Sequence, residues 1–252
     1  MDLGIAGKRV LVTGGSQGLG RAAALAFAGE GCRVAVVARN PERLGTLLEE
    51  LGGSGQGHAV LATDLMQAGE PARAVQALSA EAGPFEIVIH NLGGTLGIKD
   101  PLTAVDQWAR VWRFNAGIAV EINNLVIPTM VERGWGRIVH VSSDAALHGR
   151  GSTPYAAAKA YLNTYVKGIG RTFAPTGLVI SALLPGPFEA EGGHWEKLRR
   201  DNPALLEEFL RQHVAIGRLG TPAELTGFLL FLASQQVTFA TAAVLTIDGG
   251  GM

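Results

Sequence analysis

The segment over residues 8–20, KRVLVTGGSQGLG, constrains the fold of this chain more than any other stretch. Its first six residues are an apolar run typical of a buried strand, and the alanine-rich residues 21–30 favour a helix. Gly14, Gly18 and Gly20 stand between them in the pattern G-x-x-x-G-x-G. A strand, a glycine turn and a helix in this order present bare N–H groups at the positive end of a helix, which suits a pyrophosphate. Glycine clusters also occur in ordinary loops, so the rest of the chain decides between the two interpretations.

Composition narrows the class of protein. The 252 residues are 47% hydrophobic, enough for a large core, and favour one domain over residues 1–252. A formal net charge of −1 argues against a nucleic-acid partner, and the only cysteine, Cys32, excludes an internal disulfide and indicates a reducing compartment. The N-terminus lacks the apolar region of a signal peptide, and the longest apolar run, near residues 225–233, is too short to span a bilayer. We therefore expect a cytoplasmic protein with no membrane partner.

Short apolar runs alternate with helical segments along the chain. Strands are predicted, in chain order, at residues 8–13, 33–38, 58–63, 86–90, 137–141, 178–184 and 244–247. Helices are predicted at residues 21–30, from 41, at 64–81, 103–115, 120–133 and 153–173, the last capped by Thr153-Pro154. Helices between successive strands imply right-handed crossovers and a parallel sheet covered on both faces. The predicted fold class is an α/β, doubly wound, seven-stranded parallel sheet in a single domain.

Polar and glycine-rich residues follow the ends of the predicted strands. They are residues 14–20, Arg39, Asp64, and residues 91–94, 142–143 and 185–186. In a doubly wound sheet, ligands bind beyond the carboxyl ends of the strands. Because these residues gather on one edge, the pattern predicts a ligand site there.

Tyr155 and Lys159 are four residues apart on a predicted helix and therefore share one face. A phenol has a pKa near ~10, and a neighbouring ammonium favours its ionised form. The pair is a candidate proton-transfer group at neutral pH, with an ordinary Tyr–Lys pair on a helix surface as the alternative.

With its other motifs, the chain resembles the short-chain dehydrogenase/reductase family, in its compact single-domain branch. The motifs lie in family order between residues 8 and 250: Thr13-Gly14-x-x-x-Gly18-x-Gly20, Asn91-x-Gly93, Asn115, Ser143, Tyr155-x-x-x-Lys159 and Pro185-Gly186. The resemblance implies a Rossmann-like fold and an NAD(P)-dependent carbonyl reductase or alcohol dehydrogenase. Such an enzyme transfers hydride between nicotinamide and a small carbonyl or secondary alcohol, and it requires no metal.

The resemblance also implies roles for four residues. Tyr155 would give a proton to the carbonyl oxygen, while Lys159 would hold the nicotinamide ribose and lower the pKa of Tyr155. Ser143 would hydrogen-bond the substrate oxygen, and Asn115 would hold a water that passes protons through Lys159 to solvent. Strand alternation lets only one serine of the pair face the site. The family usually uses the second, but a shorter loop before the tyrosine keeps Ser142 as the alternative.

By the same resemblance, the cofactor would lie along this edge of the sheet. Its expected contacts are Gly14, Ser16, Gln17, Gly18, Leu19, Gly20, Arg39, Asp64, Leu65, Asn91, Gly93, Tyr155, Lys159, Pro185, Gly186 and Phe188. Asp64 has a second interpretation, because Asp64-x-x-Gln67 resembles a capping box. Leu92 would narrow the space beside the cofactor, and Ala190 replaces a threonine that often binds the carboxamide.

NADP(H) is favoured over NAD(H) by the end of the second predicted strand. A chain that binds NAD(H) usually places an Asp or Glu there for the ribose 2′-OH, whereas this chain has Ala38 followed by Arg39. The apolar Ala38 removes the repulsion that a carboxylate would exert on a 2′-phosphate. The guanidinium of Arg39 would then pair with that phosphate. Arg39 as a solvated loop residue is the alternative. Gln17 weakens the case, because many NADP(H) relatives carry a basic residue in that position.

Residues 188–214 are predicted to form a lid over the substrate. Gly192-Gly193 offers a hinge, and His194, Trp195 and Leu198 would turn inward. This apolar and aromatic face suits an aliphatic or cyclic ketone. The apolar segments 120–133, 154–173 and 244–252 predict a homo-oligomer, tetramer or dimer, unless these faces simply cover the sheet.

Two other functions share this fold. One is an isomerase or dehydratase. Relatives of that kind that act on sugar nucleotides usually have a longer C-terminal substrate region, whereas only about 65 residues follow Pro185 here. The other is a non-enzymatic dinucleotide sensor, which typically lacks the Tyr or Lys that this chain keeps. The histidines His58, His194 and His213 show no metal-ligand spacing, so no metal site is expected.

Overall fold

A seven-stranded parallel sheet forms the centre of the computed structural model, which describes residues 1–251 (for residues 81 and 82, the backbone alone). In chain order the strands are β1 (Arg9–Thr13), β2 (Arg33–Ala38), β3 (Ala59–Ala62), β4 (Ile87–His90), β5 (Gly136–Val141), β6 (Leu178–Pro185) and β7 (Val244–Ile247). Their spatial order is β3-β2-β1-β4-β5-β6-β7, and all neighbouring pairs are parallel. The chain reverses direction across the sheet between β1 and β4, where such sheets open a crevice. The predicted fold class is confirmed.

Helices cover both faces of the sheet. They are α1 (Gly18–Gly29), α2 (Pro41–Glu50), α3 (Glu70–Ala82), α4 (Val105–Trp112), α5 (Ile118–Arg133), α6 (Ala145–His148), α7 (Thr153–Phe173), α8 (His194–Asp201), α9 (Pro203–His213) and α10 (Pro222–Leu232). Alternate side chains of each strand enter opposite cores. Val10 and Val12 pack with Phe27 of α1, whereas Leu11 packs with Ile122 of α5 on the other face.

The helix starts signalled by Asn40-Pro41 and Thr153-Pro154 agree with the structure to within one residue, whereas α3 begins at Glu70, six residues after the start expected at Asp64. Asn40 caps α2 by accepting from the Arg43 N–H at 2.9 Å, as the Asn-Pro pair predicts. The prediction that Thr153 caps α7 is wrong by one position. Ser152 is the N-cap, and its Oγ accepts from the Tyr155 N–H at 3.3 Å, which leaves Thr153 in the first turn.

Two predicted helices are continuous in the structure. The segments expected at residues 103–115 and 120–133 are joined by a π-helical turn over Arg113–Gly117. Such turns insert one extra residue into a helix and are frequent at functional sites. Among the helices of residues 1–251, none combines the length and apolar character needed to cross a membrane.

Candidate active site

A cleft of about 1100 Å³ opens at the carboxyl ends of the strands. Most of the residues proposed from the sequence line it: Gly14, Ser16, Gln17, Gly18, Leu19, Arg39, Asp64, Leu65, Asn91, Gly93, Ser143, Tyr155, Lys159, Pro185, Gly186 and Phe188. Gly20 and Asn115 do not belong to this lining. The fold therefore brings fifteen of the sixteen expected cofactor contacts and three of the four expected catalytic residues to one cavity, with Tyr155 and Lys159 counted in both sets.

The glycine turn needs glycine for two different reasons. Gly14 and Gly18 have φ angles of 66° and 55°, which side chains rarely adopt. A Cβ on Gly20 would lie 2.4 Å from Nδ2 of Asn91 and 2.5 Å from the carbonyl oxygen of Gly14. Gly20 thus allows α1 to pack closely behind the turn, which explains why it lies outside the cleft lining. Gln17 is the N-cap of α1, and its side chain makes no capping hydrogen bond. The first backbone N–H groups of α1 are therefore available to an anion.

Asn91 braces this turn. Its Nδ2 donates to the carbonyl oxygens of Gly14 at 3.0 Å and Thr13 at 3.3 Å. In return, Oγ1 of Thr13 accepts from the N–H groups of Asn91 and Leu92, each at 3.2 Å. These bonds join the ends of β1 and β4 at the point where the chain changes direction across the sheet.

The capping-box interpretation of Asp64 is wrong. Helix α3 begins at Glu70, and its N-cap is Gly69 with a φ of 81°. Asp64 stands in a turn before the helix, where its Oδ1 accepts from the Met66 N–H at 3.0 Å. The Gln67 N–H bonds to the backbone oxygen of Asp64 at 3.0 Å. The Asp64 side chain therefore shapes the loop beside the cleft.

Tyr155 and Lys159 lie on the cleft side of α7. Nζ of Lys159 is 5.7 Å from the centre of the Tyr155 ring and donates to the carbonyl oxygen of Val141 at 2.7 Å. Lys159 is only 2% exposed, and this burial lowers its pKa from 10.5 to about 7. A lysine with this pKa exchanges protons near neutral pH.

The pKa of Tyr155 departs from the sequence-based expectation. Burial raises it above 10.0, a hydrogen bond with Ser143 acts against this, and the Asp144 carboxylate raises it further. The expected lowering by Lys159 is not found, because the ammonium is directed at the Val141 carbonyl and desolvation is the largest effect. In this arrangement the phenol stays protonated at neutral pH.

The two serines after β5 have different contacts. Ser142 is turned toward α7, where its Oγ donates to the backbone oxygen of Lys159 at 3.3 Å. Ser143 is the serine that acts on the Tyr155 phenol, whose pKa it lowers against the larger effect of burial, and its Oγ donates to Oδ1 of Asp144 at 3.2 Å. The structure therefore places Ser143, the serine favoured from the sequence, beside the phenol.

Asn115 lies behind the cleft in the π-helical turn and is 3% exposed. Its Oδ1 accepts from the Gly94 N–H at 2.9 Å, while Nδ2 donates to the oxygens of Gly94 and Val111, each at 2.8 Å. A Cβ on Gly93 would lie 2.7 Å from Oδ1 of Asn115 and 2.9 Å from Nζ of Lys159. Only glycine fits between these two side chains, and Asn115 holds the loop that contains it.

The sequence analysis missed Arg43, which lines the cleft near Arg39. Its Nη1 donates to Oε1 of Gln17, and its Nη2 lies 3.6 Å from Oε1 of Glu191. Arg43 is in the first turn of α2, three residues after the cap Asn40, and its side chain reaches Gln17 of the glycine turn. The Asn40-Pro41 cap was recognisable in the sequence, and it places Arg43 in the first turn of α2, beside the end of β2.

Helices α8 and α9 cover the outer end of the cleft. Trp195 and Phe209 line it, with ring centres 4.5 Å apart, and His194, Leu198, Leu205 and His213 line it beside them. The segment is anchored at both ends, since the Glu189 N–H donates to the Gly220 oxygen at 2.9 Å and the Ala215 N–H to the Gly250 oxygen at 3.1 Å. Within residues 1–251, no group of three or more His, Cys, Asp and Glu side chains has a metal-binding arrangement.

A doubly wound parallel sheet with a bare glycine turn at β1 and a Tyr–Lys pair on the same edge defines a dinucleotide-binding α/β protein. Residues 8–201 match the family model described as short chain dehydrogenase. The 3-oxoacyl-(acyl-carrier-protein) reductase of Chlamydia pneumoniae is 32% identical over 251 residues, which cover 99% of each chain. The 2-dehydro-3-deoxy-L-rhamnonate dehydrogenase (NAD(+)) of a Sphingomonas species is 31% identical, over 97% of this chain and 95% of the relative.

Solved structures agree with these relatives. L-sorbose reductase from Gluconobacter frateurii, complexed with NADPH and L-sorbose, has a TM-score of 0.90 at 28% identity, over 99% of this chain and 98% of that one. The chain therefore belongs to the short-chain dehydrogenase family of oxidoreductases.

Proposed function

We propose that this oxidoreductase transfers hydride between NADP(H) and a carbonyl or secondary alcohol, with Tyr155 as the general acid and base. The observation that carries the proposal is that Ser143, the Tyr155 phenol and the buried Lys159 line one cleft, which begins at the glycine turn. A protonated phenol and a serine hydroxyl can both bind one carbonyl oxygen. This is the arrangement that reduction of a carbonyl requires.

The residues of the cleft fit a dinucleotide. The glycine turn and the N-terminus of α1 would hold the pyrophosphate, and Asp64 and Leu65 would contact the adenine. Lys159 would hold the nicotinamide ribose, with Pro185, Gly186 and Phe188 near the ring. A Cβ on Gly186 would lie 2.6 Å from Cα of Asp248, so the loop after β6 requires glycine to pass beside the following segment. When bound, the nicotinamide supplies or accepts the hydride.

The side chains supply the proton chemistry. In reduction, Tyr155 gives its proton to the substrate oxygen, and Ser143 donates a hydrogen bond to that oxygen in place of Asp144. Lys159, with a pKa near 7, restores the proton of the phenol. We propose that a water near Asn115 links Lys159 to solvent. The amide of Asn115 already bonds to the backbone, so its main role in this proposal is to position the Gly93–Gly94 loop.

Two guanidinium groups support the choice of NADP(H). Arg39 is exposed at the end of β2, and Arg43 approaches the same end of the cleft from α2. Many NADP(H) relatives carry a basic residue at the position of Gln17 in the glycine turn. Here Arg43 contacts Gln17 and supplies the positive charge that Gln17 lacks. A 2′-phosphate would have two cations here and no carboxylate at Ala38. The Sphingomonas relative is named for NAD(+) and the L-sorbose reductase structure contains NADPH, so the choice of coenzyme rests on the two arginines and not on family membership.

We further propose that α8 and α9 act as the substrate lid and that the protein is a homo-oligomer. Trp112, Leu125 and Tyr161, on α4, α5 and α7, are each about two-fifths exposed, and Phe228 and Phe231 of α10 are exposed to a similar extent. Exposed apolar side chains grouped in this way are typical of subunit interfaces.

The proposal is tested by following NADPH and NADH oxidation with a panel of ketones, β-ketoacyl thioesters and sugars. Substrate-dependent consumption of NADPH supports the oxidoreductase. A sensor would bind the dinucleotide without turnover, and an isomerase or dehydratase would convert substrate without net coenzyme consumption. Retention of both Tyr155 and Lys159 disfavours the sensor, and the named relatives are reductases and dehydrogenases.

A further inference from the structure

The substrate end of the cleft carries two cations that the proposed hydride transfer does not use, Lys99 and Arg150. Lys99 is exposed in the loop after β4, and Arg150 is half-buried in the loop before α7. Both line the cleft that contains Tyr155. Among the ion pairs of residues 1–251, none includes either side chain. Their charges are therefore available to a ligand.

The guanidinium of Arg150 has an unsatisfied donor. Its Nη2 is buried and has no hydrogen-bond partner within the described part of the chain. A buried N–H without an acceptor is costly, and native proteins provide such a group with water or a ligand. A carboxylate or phosphate is the acceptor that best matches a guanidinium, because it accepts two parallel hydrogen bonds.

Neighbouring acids do not neutralise this end of the cleft. Burial raises the pKa of Asp144 and the charge of Arg150 acts against this, but the two side chains form no ion pair among the described residues, and Oδ1 of Asp144 accepts from Ser143. Glu191 lies on the coenzyme side and pairs with Arg43. His194 faces Lys99 and Lys197, and burial together with these charges lowers its pKa, so the imidazole stays neutral.

Aromatic side chains line the same cleft as these cations. Trp195 and Phe209 pack together on α8 and α9, and Phe114 lines the cleft from the π-helical turn before α5. The arrangement suits a compact carbon skeleton between the aromatic rings, with a charged group at one end and the carbonyl at Tyr155.

We propose that the substrate is a carbonyl compound, or the corresponding alcohol, that bears a carboxylate or phosphate, and that Arg150 and Lys99 bind this anion. The inference rests on the proposed hydride transfer and adds an anionic group to the aliphatic or cyclic ketone expected from the sequence. The anionic group is unchanged in the reaction, in which hydride and a proton add to the carbonyl.

The test compares matched substrates that differ in one charge. The carboxylate pair is 4-oxocyclohexanecarboxylate and its methyl ester, and the phosphate pair is dihydroxyacetone phosphate and dihydroxyacetone. For one pair, the wild-type protein should prefer the anion by at least about tenfold in kcat/KM, the equivalent of one charge-assisted hydrogen bond. The pair that shows this preference identifies whether the site binds a carboxylate or a phosphate.

Substitutions then identify the residues responsible. Arg150→Gln should reduce the ratio of anion to neutral kcat/KM about tenfold, mainly through KM, and Arg150→Lys should restore part of it. Lys99→Gln should have a smaller effect, because this side chain is exposed. The control Arg211→Gln removes the same charge from an exposed position on α9 outside the cleft lining, and it should leave the ratio unchanged.

Binding measured by calorimetry with NADP⁺ present separates this inference from the proposed function. If the anion binds in an Arg150-dependent way but nothing is reduced, the hydride-transfer proposal fails and the anion site stands. If neutral ketones are reduced while both members of each pair bind equally, the anion site is overturned and the oxidoreductase stands. Absence of anion binding by the folded wild-type protein, or a ratio unaffected by both Arg150 variants, also overturns it.

Discussion

Lys159 and Tyr155 are one helical turn apart on α7, yet the Lys159 ammonium is directed away from the phenol and bonds to the backbone oxygen of Val141 at 2.7 Å. It lies 5.7 Å from the centre of the Tyr155 ring. Ser143, not Lys159, is the neighbour that lowers the pKa of the phenol, against the larger effect of burial. Lys159 is thus held beside the Tyr155 ring, and burial lowers its pKa to about 7, so that the neutral and charged forms are both present at physiological pH.

Replacing Lys159 by methionine should stabilise the protein in the absence of coenzyme. The folded-state pKa is about 7 and the ordinary value is 10.5, so the folded state disfavours the charged form. Wild-type stability therefore falls as the pH drops from 10.5 to 7 and changes little from this group below that. At pH 7 the free energy of unfolding of the Lys159→Met variant should exceed that of the wild type by roughly 2–5 kcal/mol.

Urea unfolding of both proteins between pH 6 and 10 measures this difference. The advantage of the methionine variant should shrink as the pH rises toward 10. A difference that stays constant over this range, or that grows with pH, would show that Lys159 is not desolvated as the structure indicates. The variant should also lose hydride transfer.

Gly20→Ala should disrupt the glycine turn. The new Cβ would lie 2.4 Å from Nδ2 of Asn91 and 2.5 Å from the Gly14 oxygen, and a backbone atom cannot yield cheaply. We expect a loss of roughly 1–3 kcal/mol in unfolding free energy and weaker coenzyme binding. Gly45→Ala in α2 is the matched control, because its Cβ would meet nothing within 4 Å, and it should stabilise the helix by roughly 0.5–1 kcal/mol. Equal unfolding curves for the two variants would contradict the packing role of Gly20.

Arg39→Asp should reverse the coenzyme preference toward NADH, because a carboxylate repels the 2′-phosphate and accepts from a ribose hydroxyl. Arg43→Gln should weaken NADPH binding without strengthening NADH binding. Steady-state ratios of kcat/KM for the two coenzymes, with one substrate, measure both effects. An unchanged ratio in both variants would mean that neither arginine binds the 2′-phosphate.

Light scattering at micromolar concentration should give the mass of a dimer or tetramer. Substituting Trp112 or Phe231 by a charged residue should lower that mass, because each lies on one of the exposed apolar faces. A wild-type monomer would contradict the proposed assembly.

Much of the fold followed from local pattern in the sequence. Apolar runs alternated with helical segments, and crossover rules leave few ways to arrange them, so seven parallel strands were predicted correctly. The Tyr155–Lys159 pair was also recognisable, because four-residue spacing on a helix places two side chains on one face. Each of these inferences depends on residues close together in the chain.

What the sequence did not predict depends on loop paths and burial. A helix cap was one of two interpretations of Asp64, but the left-handed Gly69 is the N-cap and the helix begins at residue 70. Lys159 was expected to lower the pKa of Tyr155, whereas desolvation, which depends on the whole fold, raises it. Arg150 reaches the cleft from an irregular loop that gives no periodic signal.

The most direct test of the account is hydride transfer by Tyr155→Phe, with Tyr161→Phe as control. Both substitutions remove one phenol oxygen from α7, but Tyr161 packs edge-on against Trp112 and does not belong to the cleft lining. Stopped-flow oxidation of NADPH with a carbonyl substrate that the wild type reduces should be about 10²–10⁴-fold slower for Tyr155→Phe, with coenzyme binding retained. The control should transfer hydride at nearly the wild-type rate. Near-normal turnover by Tyr155→Phe would show that this phenol is not the proton donor and would contradict the proposed mechanism.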